Sequence, residues 1–151
     1  MVWRSRCGWS APKFDDIVID VGGRDSEALR AALTTADTVL VPILPSSFDV
    51  WALDQIAYLI SEARSINEGL RALAVLNAAD PTGRDNEEAR SVLRDMDGIK
   101  ILPGIVVRRK AFRNAAAQGR GVLDMVPPDP KAVEEMRVLV AGLFDGEATS
   151  E

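Results

Sequence analysis

Apolar residues recur along this chain in two rhythms. Short aliphatic and β-branched runs, at 16–20 (DIVID), 38–44 (TVLVPIL) and 71–77 (RALAVLN), alternate with longer stretches where apolar residues return every three or four positions. The first rhythm suits strands buried on both faces, and the second suits helices with one buried stripe. Asp25 or Ser26 can cap a first helix through Ala36, with Ala28, Leu29, Ala32, Leu33 and Ala36 on one face. Ser46 or Ser47 can cap a second, with Asp49 in its first turn, reaching about Asn67 before Gly69 ends it. Its buried stripe is predicted to be Phe48, Ala52, Ile56, Leu59, Ile60 and Ala63.

Asp85 and Glu88 have the spacing of a capping box for a third helix that buries Ala89, Val92, Leu93 and Met96 and stops before Gly98. A strand pair is expected at Lys100–Leu102 and Ile105–Val107. The last helix is predicted to start with Asp129 as cap and Pro130 as first residue, burying Val133, Met136, Val140, Leu143 and Phe144. Parallel strands need helical crossovers of one hand, so this alternation predicts an α/β fold, a mostly parallel sheet with helices on both faces. Ligands of such sheets gather beyond the carboxyl ends of the strands, which places 20–25, 45–48 and 77–84 along one edge.

Composition narrows the chemistry. Hydrophobic residues make up 47% and charged residues 27% of 151 positions, which argues for one packed domain rather than a disordered chain. There is no histidine, which removes histidine acid–base catalysis, and a single cysteine, Cys7, which removes an internal disulfide and a cysteine-rich zinc site. Nothing in the first dozen residues resembles a secretory signal, and no apolar run is long enough to span a membrane, so a cytoplasmic protein is expected. The formal net charge is −5, yet Arg108, Arg109, Lys110, Arg113 and Arg120 occupy a stretch with no acidic residue. Such a cluster neutralises phosphates without reading sequence, and nonspecific DNA is the partner it suits. Equally, these cations could pair with acids across a dimer interface or form a solvated face.

Four segments in order, FDDIVIDVGG, ADTVLVPILPSSFDVWALDQ, LAVLNAAD and VVRRKAFRNAAAQGRGVLDM, are similar in order and spacing to the ParA and MinD-type partition ATPases. The resemblance covers about Phe14 to Phe144. It implies a P-loop NTPase-like fold, use of ATP and Mg²⁺, dimerisation, nonspecific DNA and a ParB-like partner, in plasmid or chromosome partitioning or positioning. On that likeness Asp20 holds the Walker B place, where a strand-end carboxylate steadies the water shell of Mg²⁺; alone, it could simply cap the turn. Gly22, Gly23, Arg24 and Asp25 stand where the family carries its switch segment, or they make a tight turn. Asn77 resembles the residue that reads the adenine base, with Pro127 and Pro128 as the base-side wall. Each also reads as ordinary punctuation, a turn asparagine and a stop before a helix.

The family's phosphate loop ends Gly-Lys-Ser/Thr, and this chain has no Gly-Lys dipeptide: Lys13, Lys100, Lys110 and Lys131 follow Pro12, Ile99, Arg109 and Pro130. The resemblance therefore implies a domain at 13–145 that is incomplete at its N-terminus, preceded by an atypical segment at 1–12 and followed by a frayed tail at 146–151. A truncated or re-started reading frame is one expectation, with no ATP hydrolysis by the chain alone and, as the alternative to bound ATP·Mg²⁺, no nucleotide held at all. A second is a non-catalytic dimerisation or DNA-binding module that modulates a full-length partner. A third is a small α/β enzyme acting through Asp20, Asp25 and Asp80. Loss of the family's first strand should bare the apolar edge of the 16–20 strand. Pairing of two chains is expected to cover it, or else Met1–Pro12 with Trp3 and Trp9. Trp51 and Tyr58 could form a second apolar surface on the long helix, or pack under a neighbouring element.

Overall fold

The structure, a computed structural model, describes residues 2–4, 16–22, 25–45, 47–82 and 84–144, with the side chains of 2–4 and 47–52 outside that description. The strands are β1 (Val2–Arg4), β2 (Asp16–Val18), β3 (Thr38–Ile43), β4 (Arg71–Ala79) and β5 (Lys100–Val107). The helices are α1 (Glu27–Thr35), α2 (Ser47–Arg64), α3 (Arg84–Arg94), α4 (Lys110–Ala117) and α5 (Pro130–Phe144). The five strands form one sheet in the order β2-β1-β3-β4-β5. β3, β4 and β5 are parallel neighbours, while β1 runs antiparallel to both β2 and β3. The expected α/β class therefore holds.

β4 is the centre of the molecule because its sequence is apolar on both faces. Ala72, Ala74 and Leu76 join Leu29 and Leu33 of α1, Leu53, Leu59 and Ile60 of α2, and Ala89 and Leu93 of α3 on one side. Leu73 and Val75 face the other side, with Leu102 and Val106 of β5, Phe112 of α4, and Leu139 and Leu143 of α5. Alternation by two residues sends one strand into both layers. Close packing on the second side depends on two small residues. A side chain at Gly104 would meet Val138 Cγ1 at 2.8 Å, and one at Gly142 would meet Leu102 Cδ2 at 3.1 Å.

The helix ends follow local chemistry. Ser26 Oγ accepts from the Leu29 N–H at 3.2 Å, and Asp129 Oδ1 accepts from the N–H groups of Lys131 and Ala132 at 3.0 and 3.1 Å. After α2, Asn67 Nδ2 donates to the carbonyls of Leu33 and Ala36 at 3.1 and 2.8 Å, satisfying the open end of α1.

Several expectations need correction. Asp85 lies inside the first turn of α3 rather than at its cap. Lys100–Leu102 and Ile105–Val107 are one strand, continuous through Pro103 and Gly104, with its register against β4 shifted on the way. Val92 and Val140, placed by helical spacing on buried stripes, are 41% and 46% exposed, because spacing fixes which way a side chain points and not whether another element covers it. α4 was not foreseen, since its basic surface hides a short apolar stripe of Ala111, Phe112 and Ala115. One edge of β2 is met as the second of the two expectations had it, from within Met1–Pro12: Val2, Trp3 and Arg4 pair with Val18, Ile17 and Asp16. The tail at 146–151, most of 1–12, Trp9, Ser46 and the side chains of Trp3, Phe48, Trp51 and Ala52 lie outside the described residues.

Candidate functional site at the carboxyl edge of the sheet

Parallel strands deliver their carboxyl ends to one edge, and the candidate residues follow them there. Asp20 and Gly22 lie beyond β2, and both line a cavity of about 470 Å³ with Ile19, Val21, Leu29, Val39–Leu44, Leu53 and Ile56. Asp20 is exposed and is the one ionisable side chain among those lining residues. Among the described residues a side chain at Gly22 would meet nothing within 4 Å, so no close approach to them requires glycine there. Gly23 and Arg24 lie outside the described residues.

Asp25 is held by its neighbour. Arg30 grips it with two hydrogen bonds, Nε to Oδ1 at 2.7 Å and Nη2 to Oδ2 at 2.9 Å, and reaches Glu62 Oε2 of α2 at 2.9 Å. The hydrogen bonds from Arg30 hold the Asp25 carboxyl below the usual carboxylate range, and the same contacts push the Arg30 guanidinium up. Tyr58 completes the chain: its hydroxyl donates to Glu62 Oε1 at 3.0 Å, which raises its pKa, and the residue is 60% exposed.

Beyond β3, β4 and β5 a second, smaller hollow of about 180 Å³ is lined by Leu44, Pro45, Ala78, Asp80, Asp85, Asn86 and Arg108. Leu44 borders both hollows, so they adjoin along the edge. Asn77 is half-buried just before Ala78, whose φ of 49° is left-handed. For a residue with a Cβ that conformation costs about 1 kcal/mol, and it coincides with the slip of register between Leu76 and Ala79. Asn86 Nδ2 donates to the Asp80 carbonyl at 2.7 Å, while its Oδ1 is buried with no partner among the described residues. Neither Ala78 nor Asn86 carries a sequence signal, because an αL alanine and an orphan amide oxygen are set by the loop's path. Pro127 and Pro128 are exposed, and Val126–Pro127 is cis.

The basic stretch divides in two. Arg109, at the N-cap of α4, donates from Nε and Nη2 to Glu135 Oε1 at 2.9 and 2.6 Å, and Glu135 Oε2 accepts the Val107 N–H at 3.1 Å. Half-buried and clamped, Arg109 ties the end of β5 to α5, and the bond raises its pKa. Arg108, Lys110, Arg113 and Arg120 are exposed. Lys110 and Arg113 stand three residues apart, on one side of α4.

Whether ATP·Mg²⁺ suits these residues can be tested on the cavity beside Asp20. Phosphates call for cations or a cradle of backbone N–H groups, and magnesium takes one or two carboxylates together with the phosphates. Among the described residues the cavity offers one carboxylate, no Lys or Arg, and mostly aliphatic walls. These residues do not fit a bound triphosphate. Nor are Asp20, Asp25 and Asp80 brought together: among the described residues no group of three or more Asp, Glu, Cys or His could hold a metal ion. No described helix is long and apolar enough to cross a membrane.

Comparison with known proteins agrees with the order of the segments. Residues 7–79 match the family model for ATPase MipZ. Over 130 residues the chain is 29% identical to the maintenance of carboxysome distribution protein A of Halothiobacillus neapolitanus, a match that takes in 85% of this chain. The chain spans 60% of that relative's length.

Proposed function

We propose that this chain derives from the ParA-like positioning ATPases and works as a non-hydrolysing member of a positioning system. The observation that carries the reading is the combined likeness to the MipZ model and to a carboxysome-distribution protein, on a sheet whose carboxyl edge is bordered by Asp20 and, in the adjoining hollow, Arg108. A switch of that kind would bind ATP·Mg²⁺ and pair on it, with Asp20 beside the metal and Asn77, Pro127 and Pro128 around the base. In this chain the cavity, aliphatic and free of Lys and Arg among the described residues, favours the second reading, a module that binds DNA or a full-length ParA-type partner without nucleotide.

Calorimetric titration with ATP and Mg²⁺, with Asp20→Ala as control, separates the two readings. No heat at millimolar ATP is the expected result, and saturable binding abolished by the substitution would restore the autonomous switch. DNA contact rests on the exposed cations of α4 and the turn that follows it. Arg113→Glu with Arg120→Glu should weaken nonspecific duplex retention at low salt, and added salt should weaken it in the parent protein too. Retention unchanged by the double substitution would remove DNA from the proposal. Arg109→Glu is a poor probe of this surface because it breaks the Glu135 clamp.

A further inference from the structure

Glu135 of α5 is an acid set against the cationic stretch. Its Oε1 accepts from Arg109 Nε and Nη2 at 2.9 and 2.6 Å, and its Oε2 accepts the Val107 N–H at 3.1 Å. One carboxylate thus grips the two residues on either side of Arg108, where the chain leaves β5. α4 starts directly after this grip. It is eight residues long, too short to hold its place without tertiary contacts. Its N-cap, Arg109, makes no side-chain cap bond among the described residues, and its first turn carries no acid, so Arg109 and Lys110 stand at the positive end of the helix dipole. Glu135 brings a negative charge to that end. Along the helix Ala115 is buried, with Ala111 and Phe112 partly so. The far end is set by its own turn: at Gly119, with φ 62°, the N–H groups of Gly119 and Arg120 donate back to the carbonyls of Ala116 and Ala115.

We propose, resting on the duplex-binding reading above, that Glu135 is a positioning residue for the cationic surface: it fixes the start of α4 and so presents Lys110 and Arg113 together to the phosphates of a DNA duplex. That role opposes the sign that charge alone gives. An acid beside a phosphate-binding surface repels the duplex, and its removal frees Arg109 as one more cation, so electrostatics alone predicts tighter retention without Glu135. Positioning predicts the reverse. Lys110 and Arg113 lie three residues apart on one side of α4, and they meet neighbouring phosphates as a set only while the helix is held. Arg120, placed by the Gly119 turn, does not depend on Glu135.

Three variants of the whole chain separate the two signs. Glu135→Gln removes the charge, Glu135→Asp keeps it but shortens the reach, and Arg109→Lys keeps the cation but gives up the two-point grip. Each is compared with the parent by duplex retention, by the dependence of retention on salt, and by the NMR resonance of the Arg109 side-chain N–H where Arg109 is present. All three should weaken retention at low salt about three- to tenfold and reduce the slope of log K against log salt by about 1–2, the share of one or two phosphate contacts. In both Glu135 variants the Arg109 resonance should lose its hydrogen-bonded shift, while urea unfolding keeps a single transition. Arg120→Glu added to Glu135→Gln should weaken retention further. Tighter retention in Glu135→Gln would overturn the proposal, as would unchanged retention in Glu135→Asp and Arg109→Lys, or a loss of stability with the salt slope unmoved. No retention by the parent would remove the duplex reading and this role with it, whereas retention that parent and variants share removes the role alone.

Discussion

β4 and β2 carry the same signature, a short apolar run closed by an acidic residue, and the fold uses them in opposite ways. β4 lies between two parallel neighbours with helices on both faces, and Leu76 at its heart is 0% exposed. β2 lies at the rim, paired with three residues of β1, and leaves Val18 75% exposed. Coverage is a property of neighbours, so one pattern gives a core strand in one place and a thin edge beside a cavity in another.

The comparison can be broken most sharply at those two side chains. Leu76→Ala should cost about 2–5 kcal/mol in urea denaturation, because it empties a site with no room to relax. Val18→Ala should stay within about 0.5 kcal/mol. Comparable losses at both would mean that β2 is as covered as β4.

On the well-packed side, Arg109→Ala tests the tie between β5 and α5. It leaves Glu135, 14% exposed, with the Val107 N–H alone, and should cost on the order of 1–3 kcal/mol, somewhat less where solvent screens the pair. Loss of stability without change in duplex retention would mark Arg109 as structural.

The smallest effect belongs to the Asp25–Arg30–Glu62 chain, which is open to solvent. Asp25 has a depressed folded pKa, so its contribution is complete above the ordinary carboxylate range and is lost as pH falls through the depressed value. In Arg30→Ala the Asp25 titration followed by NMR should move back up. Any stability gap between variant and parent at neutral pH should close in strong acid. An unmoved titration would show that the grip on Asp25 does not come from Arg30.

Much of the fold was legible because it depends on near neighbours in sequence. Ser26 and Asp129 announced their helices through cap chemistry, and 38–44 and 71–77 announced strands through continuous apolar runs. The site was legible in its place more than in its chemistry. Strand ends carried Asp20 and Asn77 to the predicted edge and brought Arg108 there unforeseen, and nothing local to Arg109 signalled that Glu135, on another helix, would take it. Val92 and Val140 kept helical spacing but missed burial, because spacing states which way a side chain points and not whether a layer reaches it.

The sequence alone determined the alternation of β2, α1, β3, α2, β4 and α3, the absence of histidine and of a Gly-Lys dipeptide, and the presence of a cationic stretch in an acidic chain. Each follows from residue identity and from interactions a few positions apart. Only the tertiary structure decided that β1 enters the sheet antiparallel between β2 and β3, and that Arg109 is clamped while Arg113 and Arg120 remain exposed. Those outcomes depend on which distant segments meet, which an apolar or charged residue does not specify by itself.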